Sequence, residues 1–391
     1  MKSIRDAGIE NKRIFLRVDF NVPMEDKKII DNFRMARTLP TIEYLLKNNN
    51  KIIIGTHLGK PEGEIIPQLS TIPLAQELAK LIKHKVYATD HVLDPRVIKK
   101  VEELRGGEIL VLGNLRWHPE EELDSETFAR DLASYADVYV DDAFGVCHRS
   151  HASVDAITKF LPSYAGLLVE SEVTTLSLLL KNPIQPFVLI MGGAKIKDKA
   201  GLIINLAERA DKVLIGGAIA NTFFAASGQE VSDSLYEKEM MEKCQEIIQK
   251  FHQKIILPID SVKDEQAGGR FKIADTGPQT RRIFREEILK ANTVFWNGNM
   301  GRSEDVRFQE GTREIAKAMI ENRGTTVVSG GDTVGFVDSE NLTQGINFIS
   351  TGGGATLSFL AGESMPGIKA LDRLHNENIT TDLVHPPRLS P

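Results

Sequence analysis

Five glycine-rich segments in the second half of the chain have the composition of loops that bind phosphate groups. Glycines let backbone N–H groups approach phosphate oxygens closely, and the N-terminus of a following helix adds partial positive charge. One glycine pair alone is typical of a turn, but a group of such segments in one half predicts a polyphosphate site. The segments are Gly192-Gly193-Ala194-Lys195, Gly216-Gly217-Ala218, Asn297-Gly298-Asn299-Met300-Gly301, Gly330-Gly331-Asp332-Thr333 and Gly352-Gly353-Gly354. Among their side chains, Asp332 is a candidate ligand of Mg²⁺.

The first half of the chain carries cationic and imidazole side chains instead of glycine pairs at the corresponding places. In open parallel sheets ligands bind at the carboxyl ends of strands, so these side chains predict an anion site. Arg34 considered alone would be typical of a solvated surface residue. Its assignment to the anion site depends on the other cationic and imidazole side chains. Cys147, His148 and His151 lack a second ligand pair at regular spacing, which argues against zinc. The group consists of Arg34, His57, Lys60, Arg116, His148, Arg149 and His151.

Two common nucleotide-binding fingerprints do not occur in the chain. No G-x-x-x-x-G-K-[ST] motif is present, and no G-x-G-x-x-G motif follows the first apolar run. The segment from Gly55 to Pro61 comes near the first motif but has Pro61 where Ser or Thr is required. Walker-type and dinucleotide-binding interpretations are therefore weak.

Short apolar runs rich in β-branched residues recur along the whole chain and predict strands. They are continuous rather than alternating, which indicates strands covered on both faces, and segments with helical spacing lie between most of them. We therefore expect an α/β protein with largely parallel sheets. The predicted strands are Arg13–Asp19, Lys51–Thr56, Glu108–Leu112, Asp137–Val140, Phe187–Met191, Lys212–Ile215, Ile255–Ile259, Thr293–Trp296, Thr325–Val328 and Ile346–Ser350.

The length of 391 residues corresponds to two or three domains at about 150 residues each. The helical period of Leu167–Leu180, midway along the chain, predicts a connector between two similar lobes. We predict an N-terminal lobe over 1–166, a hinge helix over 167–182, a C-terminal lobe over 183–367 and a tail over 368–391 that is disordered or packed on the N-terminal lobe.

Two helix starts are predicted from local signals. Asp198 is a candidate N-cap of a helix whose first turn contains Lys199. On such a helix Lys195 and Lys199 would repel each other, a conflict that an anion between them would relieve. Arg34 is expected to precede a helix that begins near Thr38.

Composition excludes several classes of partner. The 48 Lys and Arg against 54 Asp and Glu give a net charge of −6, which argues against a broad basic surface for nucleic acid. Two cysteines, Cys147 and Cys244, cannot make a disulfide framework. The segment Met1–Asp19 has no apolar region of a signal peptide, and no long uncharged apolar stretch occurs. We expect a cytoplasmic protein with neither a nucleic-acid nor a membrane partner.

Taken together, these segments resemble phosphoglycerate kinases, from about Val18 to about Gly367. The most specific segments in the first half are Arg17-Val18-Asp19-Phe20-Asn21-Val22-Pro23, Thr56-His57-Leu58-Gly59-Lys60-Pro61 and Asp141-Asp142-Ala143-Phe144-Gly145 with His148-Arg149. In the second half they are Gly192-Gly193-Ala194-Lys195 with Asp198-Lys199, Trp296-Asn297-Gly298, Gly330-Gly331-Asp332-Thr333 and Ser350-Thr351-Gly352-Gly353-Gly354-Ala355.

The resemblance implies two Rossmann-like lobes with parallel sheets joined by a hinge helix. It implies reversible, Mg²⁺-dependent phosphoryl transfer between ATP and the carboxylate of 3-phosphoglycerate, giving 1,3-bisphosphoglycerate and ADP. The triose would bind the N-terminal lobe and the Mg²⁺-nucleotide the C-terminal lobe, and hinge closure would bring the two together and exclude water. The resemblance also implies a monomer.

The resemblance also assigns residues. The triose side would be Asp19, Phe20, Asn21, Arg34, His57, Leu58, Gly59, Lys60, Arg116 and Arg149. The nucleotide side would be Gly193, Ala194, Lys195, Lys199, Gly217, Asn297, Glu304, Gly330, Gly331, Asp332 and Thr333, with Glu304 at the ribose and Asp332 holding Mg²⁺. The groups assigned to catalysis are Arg34, Lys199, Gly352, Gly353 and Gly354.

The chemistry of the acceptor agrees with this assignment. A carboxylic acid titrates near pH 3 to 4, so the acceptor is already ionised at pH 7 and needs no general base. What the protein must supply is positioning and charge stabilisation for an in-line transfer. Cations such as Arg34 and Lys199 and the glycine-rich amides are suited to that task.

The chain departs from the family pattern at several places, among them Ala218 and Ser329, which stand where a third glycine is expected. Lys60 stands where the family usually has Arg, and Arg302-Ser303 stand where it typically has Val-Phe beside the base pocket. The alternative is therefore a nucleotide-binding regulatory protein on the same scaffold with weakened catalysis. A third possibility is a different two-lobed enzyme acting on a phosphorylated acid, for which the cations of the first half would be unrelated.

Overall fold

The predicted strands all contribute to two six-stranded parallel sheets, one in each half of the chain. The computed structural model describes residues 1–373. Contacts divide them into an N-terminal unit, made of Met1–Val173 and the described residues from Ser364 onward, and a C-terminal unit, Thr174–Glu363. The predicted two-lobe α/β fold class is confirmed.

The sheet of the N-terminal unit has the order β5-β6-β4-β1-β7-β8, with all neighbours parallel. Its strands are β1 (Arg13–Val18), β4 (Lys51–Gly55), β5 (Val86–Ala88), β6 (Ile109–Val111), β7 (Val138–Asp142) and β8 (Ser163–Ala165), and a small hairpin adds β2 (Met24–Glu25) and β3 (Lys28–Ile29). The edge strands β5 and β8 were not predicted. Their sequences, Val-Tyr-Ala and Ser-Tyr-Ala, lack the run of aliphatic β-branched residues that marks the inner strands, and β5 is not fully buried.

Helices cover this sheet. They are α1 (Phe33–Lys47), α2 (Ile72–Leu81), α3 (Pro95–Glu103), α4 (Pro119–Glu122) and α5 (Glu126–Ala133). The predicted start near Thr38 is wrong, because α1 already begins at Phe33, whose N–H donates to Asp31 Oδ1 at 2.7 Å. Arg34 therefore lies in the first turn of α1 rather than before it, and Pro40 lies inside the helix.

Helix α6 (Leu167–Lys181) follows the last strand of this sheet, and the boundary between the two units falls within it, after Val173. Its N-terminus is capped from the sheet, because Asp142 Oδ1 at the end of β7 accepts the N–H of Leu168 at 2.9 Å. Burial raises the pKa of Asp142 to about 7.

The sheet of the C-terminal unit has the order β11-β10-β9-β14-β15-β16, again parallel throughout. Its strands are β9 (Phe187–Met191), β10 (Lys212–Ile215), β11 (Ile255–Ile256), β14 (Thr293–Asn297), β15 (Thr325–Ser329) and β16 (Phe348–Ile349). An antiparallel hairpin of β12 (Ser261–Glu265) and β13 (Phe271–Thr276) stands outside it.

The helices of this unit are α7 (Ala200–Ala207), α8 (Gly217–Ala226), α9 (Met241–Phe251), α10 (Pro278–Lys290), α11 (Glu310–Glu321), α12 (Gly331–Ser339) and α13 (Gly354–Ala361). The predicted N-cap Asp198 is wrong, because Lys199 occupies the N-cap position of α7 and no side chain caps the helix. A turn closed by the bond from Lys199 N–H to Ile196 O at 2.8 Å precedes α7. Lys195 and Lys199 therefore do not share a regular helix.

Helix α14 (Pro366–Arg373) returns to the N-terminal unit, where it contacts β8. The N–H of Gly367 donates to Cys147 O at 3.0 Å. The rest of the predicted tail, residues 374–391, lies outside the described residues. Across residues 1–373, no helix has both the length and the apolar character needed to cross a bilayer.

Candidate active site

A cavity of about 560 Å³ opens at the carboxyl ends of β9, β10, β14 and β15 in the C-terminal unit. Gly353 and Gly354 also line it, whereas Gly352 is buried behind them and donates its N–H to Ser350 Oγ at 3.2 Å. The eleven residues predicted to bind nucleotide all line this cavity: Gly193, Ala194, Lys195, Lys199, Gly217, Asn297, Glu304, Gly330, Gly331, Asp332 and Thr333.

Three helices begin at the wall of this cavity, and glycine is the N-cap of each. Gly216 precedes α8, Gly330 precedes α12 and Gly353 precedes α13, so none of the three has a side-chain cap. The first N–H groups of a helix lack intrahelical acceptors, and the helix dipole makes that end partially positive. The cavity wall therefore offers backbone donors to an anion.

Gly298 shows why this wall is made of glycine. It has φ of +95°, and a Cβ atom there would lie 2.2 Å from Gly192 O and 2.5 Å from Lys199 Nζ. Both the left-handed backbone and the close approach exclude a side chain. The N–H of Gly298 donates to Thr333 Oγ1 at 2.9 Å, which joins the end of β14 to the first turn of α12.

Lys199 lines the cavity and is anchored to the backbone. Its Nζ donates to Gly192 O at 2.7 Å. Burial lowers the pKa of Lys199 to about 8, although the carboxylates of Asp332 and Asp198 act in the opposite direction. The ammonium group is therefore mostly charged at pH 7 and is placed among backbone donors.

The departure at Arg302-Ser303 affects the same cavity. Arg302 lines it, and its Nη2 lies 2.8 Å from Asp264 Oδ2 and 3.3 Å from Asp305 Oδ2. Both carboxylates also contact Arg307, so two guanidinium groups and two carboxylates balance one another. Ser303 instead turns to the backbone and donates to Gly301 O at 3.3 Å.

The predicted triose side lies at the carboxyl ends of β1, β4 and β6 in the N-terminal unit. Asp19 Oδ2 accepts from Arg34 Nη1 at 2.5 Å, which holds the arginine of α1 against the end of β1. Asn21 Oδ1 accepts the N–H of Gly59 at 2.9 Å, which joins the segments after β1 and β4. The predicted residues Phe20 and Leu58 are buried, whereas Lys60 and Arg149 are exposed.

Asn114 positions Arg116, although the sequence did not single it out. Its Oδ1 accepts the N–H of Arg116 at 3.1 Å and its Nδ2 donates to Leu58 O at 2.7 Å. Arg116 Nη1 in turn donates to Gly59 O at 3.1 Å. The sequence signal for Asn114 is its place two residues after the end of a predicted strand.

A buried polar network behind these residues also escaped the sequence analysis. Arg17 and Glu121 are both 0% exposed, and Arg17 Nη2 lies 3.7 Å from Glu121 Oε1. Ser153, also buried, bonds to both of them. Arg17 is flanked on both sides by apolar residues of β1, unlike Arg13 at the start of the strand, and that is the signal that could have identified it.

Two histidines of the predicted anion site, His57 and His151, do not contribute positive charge. Burial first, and then the charge of Arg17, lower the pKa of His57 well below its ordinary value. The same two causes lower the pKa of His151 to about 3. Both rings are therefore neutral at pH 7, and the positive charge comes from Arg34, Arg116 and the exposed cations.

The match to a protein family covers nearly the whole chain. The family model described as phosphoglycerate kinase matches residues 4–363. The chain belongs to the phosphoglycerate kinase family. The phosphoglycerate kinase of Moorella thermoacetica is 42% identical over 386 residues, which cover 94% of this chain and 98% of the relative. That of Coprothermobacter proteolyticus is 40% identical over 387 residues, covering 95% and 98%.

Solved phosphoglycerate kinase structures have the same fold. The enzyme of Pyrococcus horikoshii aligns with a TM-score of 0.85 at 33% identity, covering 95% of this chain and 98% of that one. The enzyme of Coxiella burnetii aligns with a TM-score of 0.83 at 32% identity and the same coverage. The predicted phosphotransferase is confirmed as a phosphoglycerate kinase by family. The alternative of a regulatory protein has no support from these relatives.

Gly298→Ala tests the backbone wall of this phosphoglycerate kinase. We expect the free energy of unfolding to fall by about 2 kcal/mol, because alanine is strained at positive φ, and the KM for nucleotide to rise because Lys199 is displaced. Urea unfolding and steady-state kinetics measure the two effects. Gly335→Ala is the matched control, since a Cβ there meets no described heavy atom within 4 Å and α12 gains a better helix former. Equal behaviour of the two variants would contradict the close approach at Gly298.

Proposed function

We propose that this kinase transfers the γ-phosphoryl group of Mg²⁺·ATP reversibly to the carboxylate of 3-phosphoglycerate, giving 1,3-bisphosphoglycerate and ADP. The observation that carries the proposal is the cavity of the C-terminal unit, whose wall combines three uncapped helix N-termini with Lys199. Backbone donors and the ammonium groups of Lys195 and Lys199 suit the phosphate oxygens of a nucleotide. Glu304, exposed at the rim, is proposed to bind the ribose.

Mg²⁺ fits the same cavity through Asp332. The side chain is exposed in the first turn of α12 and lines the cavity. The described residues contain no cluster of three or more His, Cys, Asp or Glu that could hold a metal ion. Mg²⁺ needs no such cluster, since it is commonly held by one or two carboxylates together with substrate phosphates and water. Bound there, the ion would neutralise charge on the phosphate oxygens.

The proposed triose site uses arginines and a neutral imidazole. Arg34, Arg116 and Arg149 carry the positive charge that a phosphorylated carboxylate requires, and Lys60 adds a mobile point charge. His57 is uncharged and serves as an oriented hydrogen-bond group. We propose the same binding role for Asp19, Phe20, Asn21, Leu58 and Gly59.

The reaction needs positioning rather than proton transfer. A carboxylate oxygen of the acceptor attacks the γ-phosphorus while the bond from that phosphorus to the β-phosphate oxygen breaks, and ADP leaves with the electron pair. Arg34, Lys199 and the amides at Gly352, Gly353 and Gly354 are proposed to stabilise the charge on the transferring group. Water must be excluded, because it would hydrolyse the acyl phosphate.

We infer that the kinase acts as a monomer in the cytoplasm, without nucleic acid or membrane partners. The net charge of −6 supports the absence of a nucleic-acid partner. The two cysteines are both buried and neither is in a disulfide, in keeping with a reducing compartment.

A coupled assay tests the proposed reaction. Purified protein is mixed with 3-phosphoglycerate and ATP, and 1,3-bisphosphoglycerate is consumed by a reductase whose cofactor is followed optically. We expect turnover that requires both 3-phosphoglycerate and Mg²⁺. ADP release without the acceptor, or no turnover with it, would contradict the proposal. GTP in a parallel reaction measures whether Arg302 and Ser303 change base preference.

Arg34→Ala tests whether Arg34 contributes to phosphoryl transfer without contributing to nucleotide binding. We expect kcat to fall by about 10³-fold or more, by analogy with arginines that stabilise transferring phosphoryl groups. The affinity for ATP should hardly change, because Arg34 lies in the N-terminal unit and the nucleotide is assigned to the C-terminal unit. Kinetics and calorimetric titration with ATP measure the two quantities. A large loss of ATP affinity would argue against this division of roles.

Nucleotide binding should depend on pH through Lys199. Its folded-state pKa of about 8 lies below the ordinary lysine value, and a bound polyanion favours the charged form and raises that pKa. Binding therefore takes up a proton above about pH 8, and the Kd for nucleotide rises with pH there. Calorimetry at pH 9 in two buffers of different ionisation enthalpy measures the uptake. Lys199→Met should abolish it and the exposed Lys197→Met should not; a wild type without uptake would contradict the assignment.

A further inference from the structure

Glu121 is a fully buried carboxylate whose oxygens both accept hydrogen bonds from one residue. Its Oε2 accepts the N–H of Ser153 at 3.0 Å, and its Oε1 accepts the hydroxyl of Ser153 at 2.6 Å. Its backbone oxygen accepts the N–H of Ala152 at 2.9 Å. Helix α4 is thereby fixed to the segment that follows His151. A buried carboxylate that loses its hydrogen bonds destabilises the fold. Because both donors belong to Ser153, the position of Ser153 is well determined.

Ser153 in turn orients the side chain of Arg17 by a hydrogen bond. A serine hydroxyl has one proton, and that of Ser153 points to Glu121, so its oxygen is left to accept. Arg17 Nε donates to that oxygen at 2.7 Å. The backbone oxygen of Ser153 is also held, because Tyr139 OH donates to it at 2.8 Å. Ser153 therefore connects the carboxylate of α4 to the guanidinium of β1.

Arg17 in turn determines the protonation of His57. Its Nη1 donates to Val18 O at 2.5 Å and its Nη2 lies 3.4 Å from His57 Nδ1. A guanidinium group can only donate, so Nδ1 must be the acceptor of this pair. The proton of a neutral His57 then sits on Nε2, where the ring offers an N–H group in a fixed direction.

The surroundings keep His57 neutral. The side chain is 2% exposed, and the charged or titratable groups that act on it are Arg17, Arg116, His151 and Arg34. Burial is the largest cause, and the three arginines further oppose a positive charge on the ring, whereas His151 is itself neutral at pH 7. The ring is thus a hydrogen-bond donor without charge, beside arginines that supply the charge.

We propose that Glu121 is a positioning residue for the acceptor site: through Ser153 it fixes Arg17, and through Arg17 it holds His57 as the Nε2–H tautomer that donates to an oxygen of the bound triose. The assignment rests on the proposed function, since it takes 3-phosphoglycerate as the ligand of His57. Glu121 touches no ligand itself and acts only through the side chains it orients.

Glu121→Gln tests whether Glu121 orients His57 through Ser153 and Arg17. Glutamine keeps the size of the side chain but loses the charge and one acceptor. The wild type should show His57 with an unprotonated Nδ1 and a protonated Nε2 in long-range ¹H–¹⁵N spectra of the histidine-labelled full chain. The signal is assigned by its absence in His57→Gln. In Glu121→Gln the Nδ1 signal should move toward the protonated position, because Arg17 is no longer held against it.

Among the kinetic constants, only the KM for the acceptor, 3-phosphoglycerate, should change. We expect the KM for 3-phosphoglycerate to rise about tenfold in Glu121→Gln, the effect of losing one hydrogen bond to a charged group. The KM for ATP should stay unchanged. Glu120→Gln, the same substitution at the exposed preceding position of α4, is the matched control and should alter neither quantity.

Ser153→Ala keeps the test decisive if Glu121→Gln does not fold. It removes only the hydroxyl that joins Glu121 to Arg17, and the same tautomer change and the same rise in KM are expected. A folded variant of either kind with an unchanged His57 tautomer and unchanged KM would overturn the proposal, as would a wild type with the proton on Nδ1. The spectra need no substrate, so a wild type without turnover of 3-phosphoglycerate would contradict the proposed function separately.

Discussion

Backbone hydrogen bonds between the glycine segments of the C-terminal unit determine the rest of its site. The N–H of Gly192 donates to Asn297 O at 2.9 Å, that of Gly193 to Asn299 O at 2.7 Å, and that of Gly217 to Met300 O at 2.9 Å. Main chain packs directly on main chain, which leaves no space for side chains between the strand ends. The carbonyl that anchors Lys199 and the helices that begin at the cavity are placed by this contact.

The two units provide for anions in physically different ways. The C-terminal unit uses main-chain dipoles, which stay in place once the fold is formed and carry no net charge that burial would penalise. The N-terminal unit uses guanidinium groups, which must be oriented one at a time and whose burial is costly unless they are bonded. That difference explains why a network such as Arg17, Ser153 and Glu121 occurs in the N-terminal unit.

The sequence predicted what depends on local pattern. The buried strand Phe187–Met191 is a continuous apolar run, and its bounds agree with the structure, whereas the predicted Ile255–Ile259 extends only over Ile255–Ile256. The start of α7 was mispredicted because Asp198 has the composition of a cap but not its geometry. The residues of the family motifs could be assigned to the triose and nucleotide sides because the motifs resemble those of phosphoglycerate kinases. Glu121 and Ser153 could not, because their hydrogen bonds join positions 32 apart that one sequence does not relate to each other. The neutrality of His57 depends on burial, which only the fold reveals.

Helix α14 has a consequence for the order of folding during synthesis. It belongs to the N-terminal unit, although all residues of the C-terminal unit, Thr174–Glu363, are translated before it. At ordinary elongation rates of about 5–20 residues per second, roughly 10 to 40 s separate Val173 from Gly367. During that interval the surface of β8 and the carbonyl of Cys147 lack their partner, while the complete C-terminal unit can already fold. The first unit to emerge from the ribosome is therefore the last to be completed.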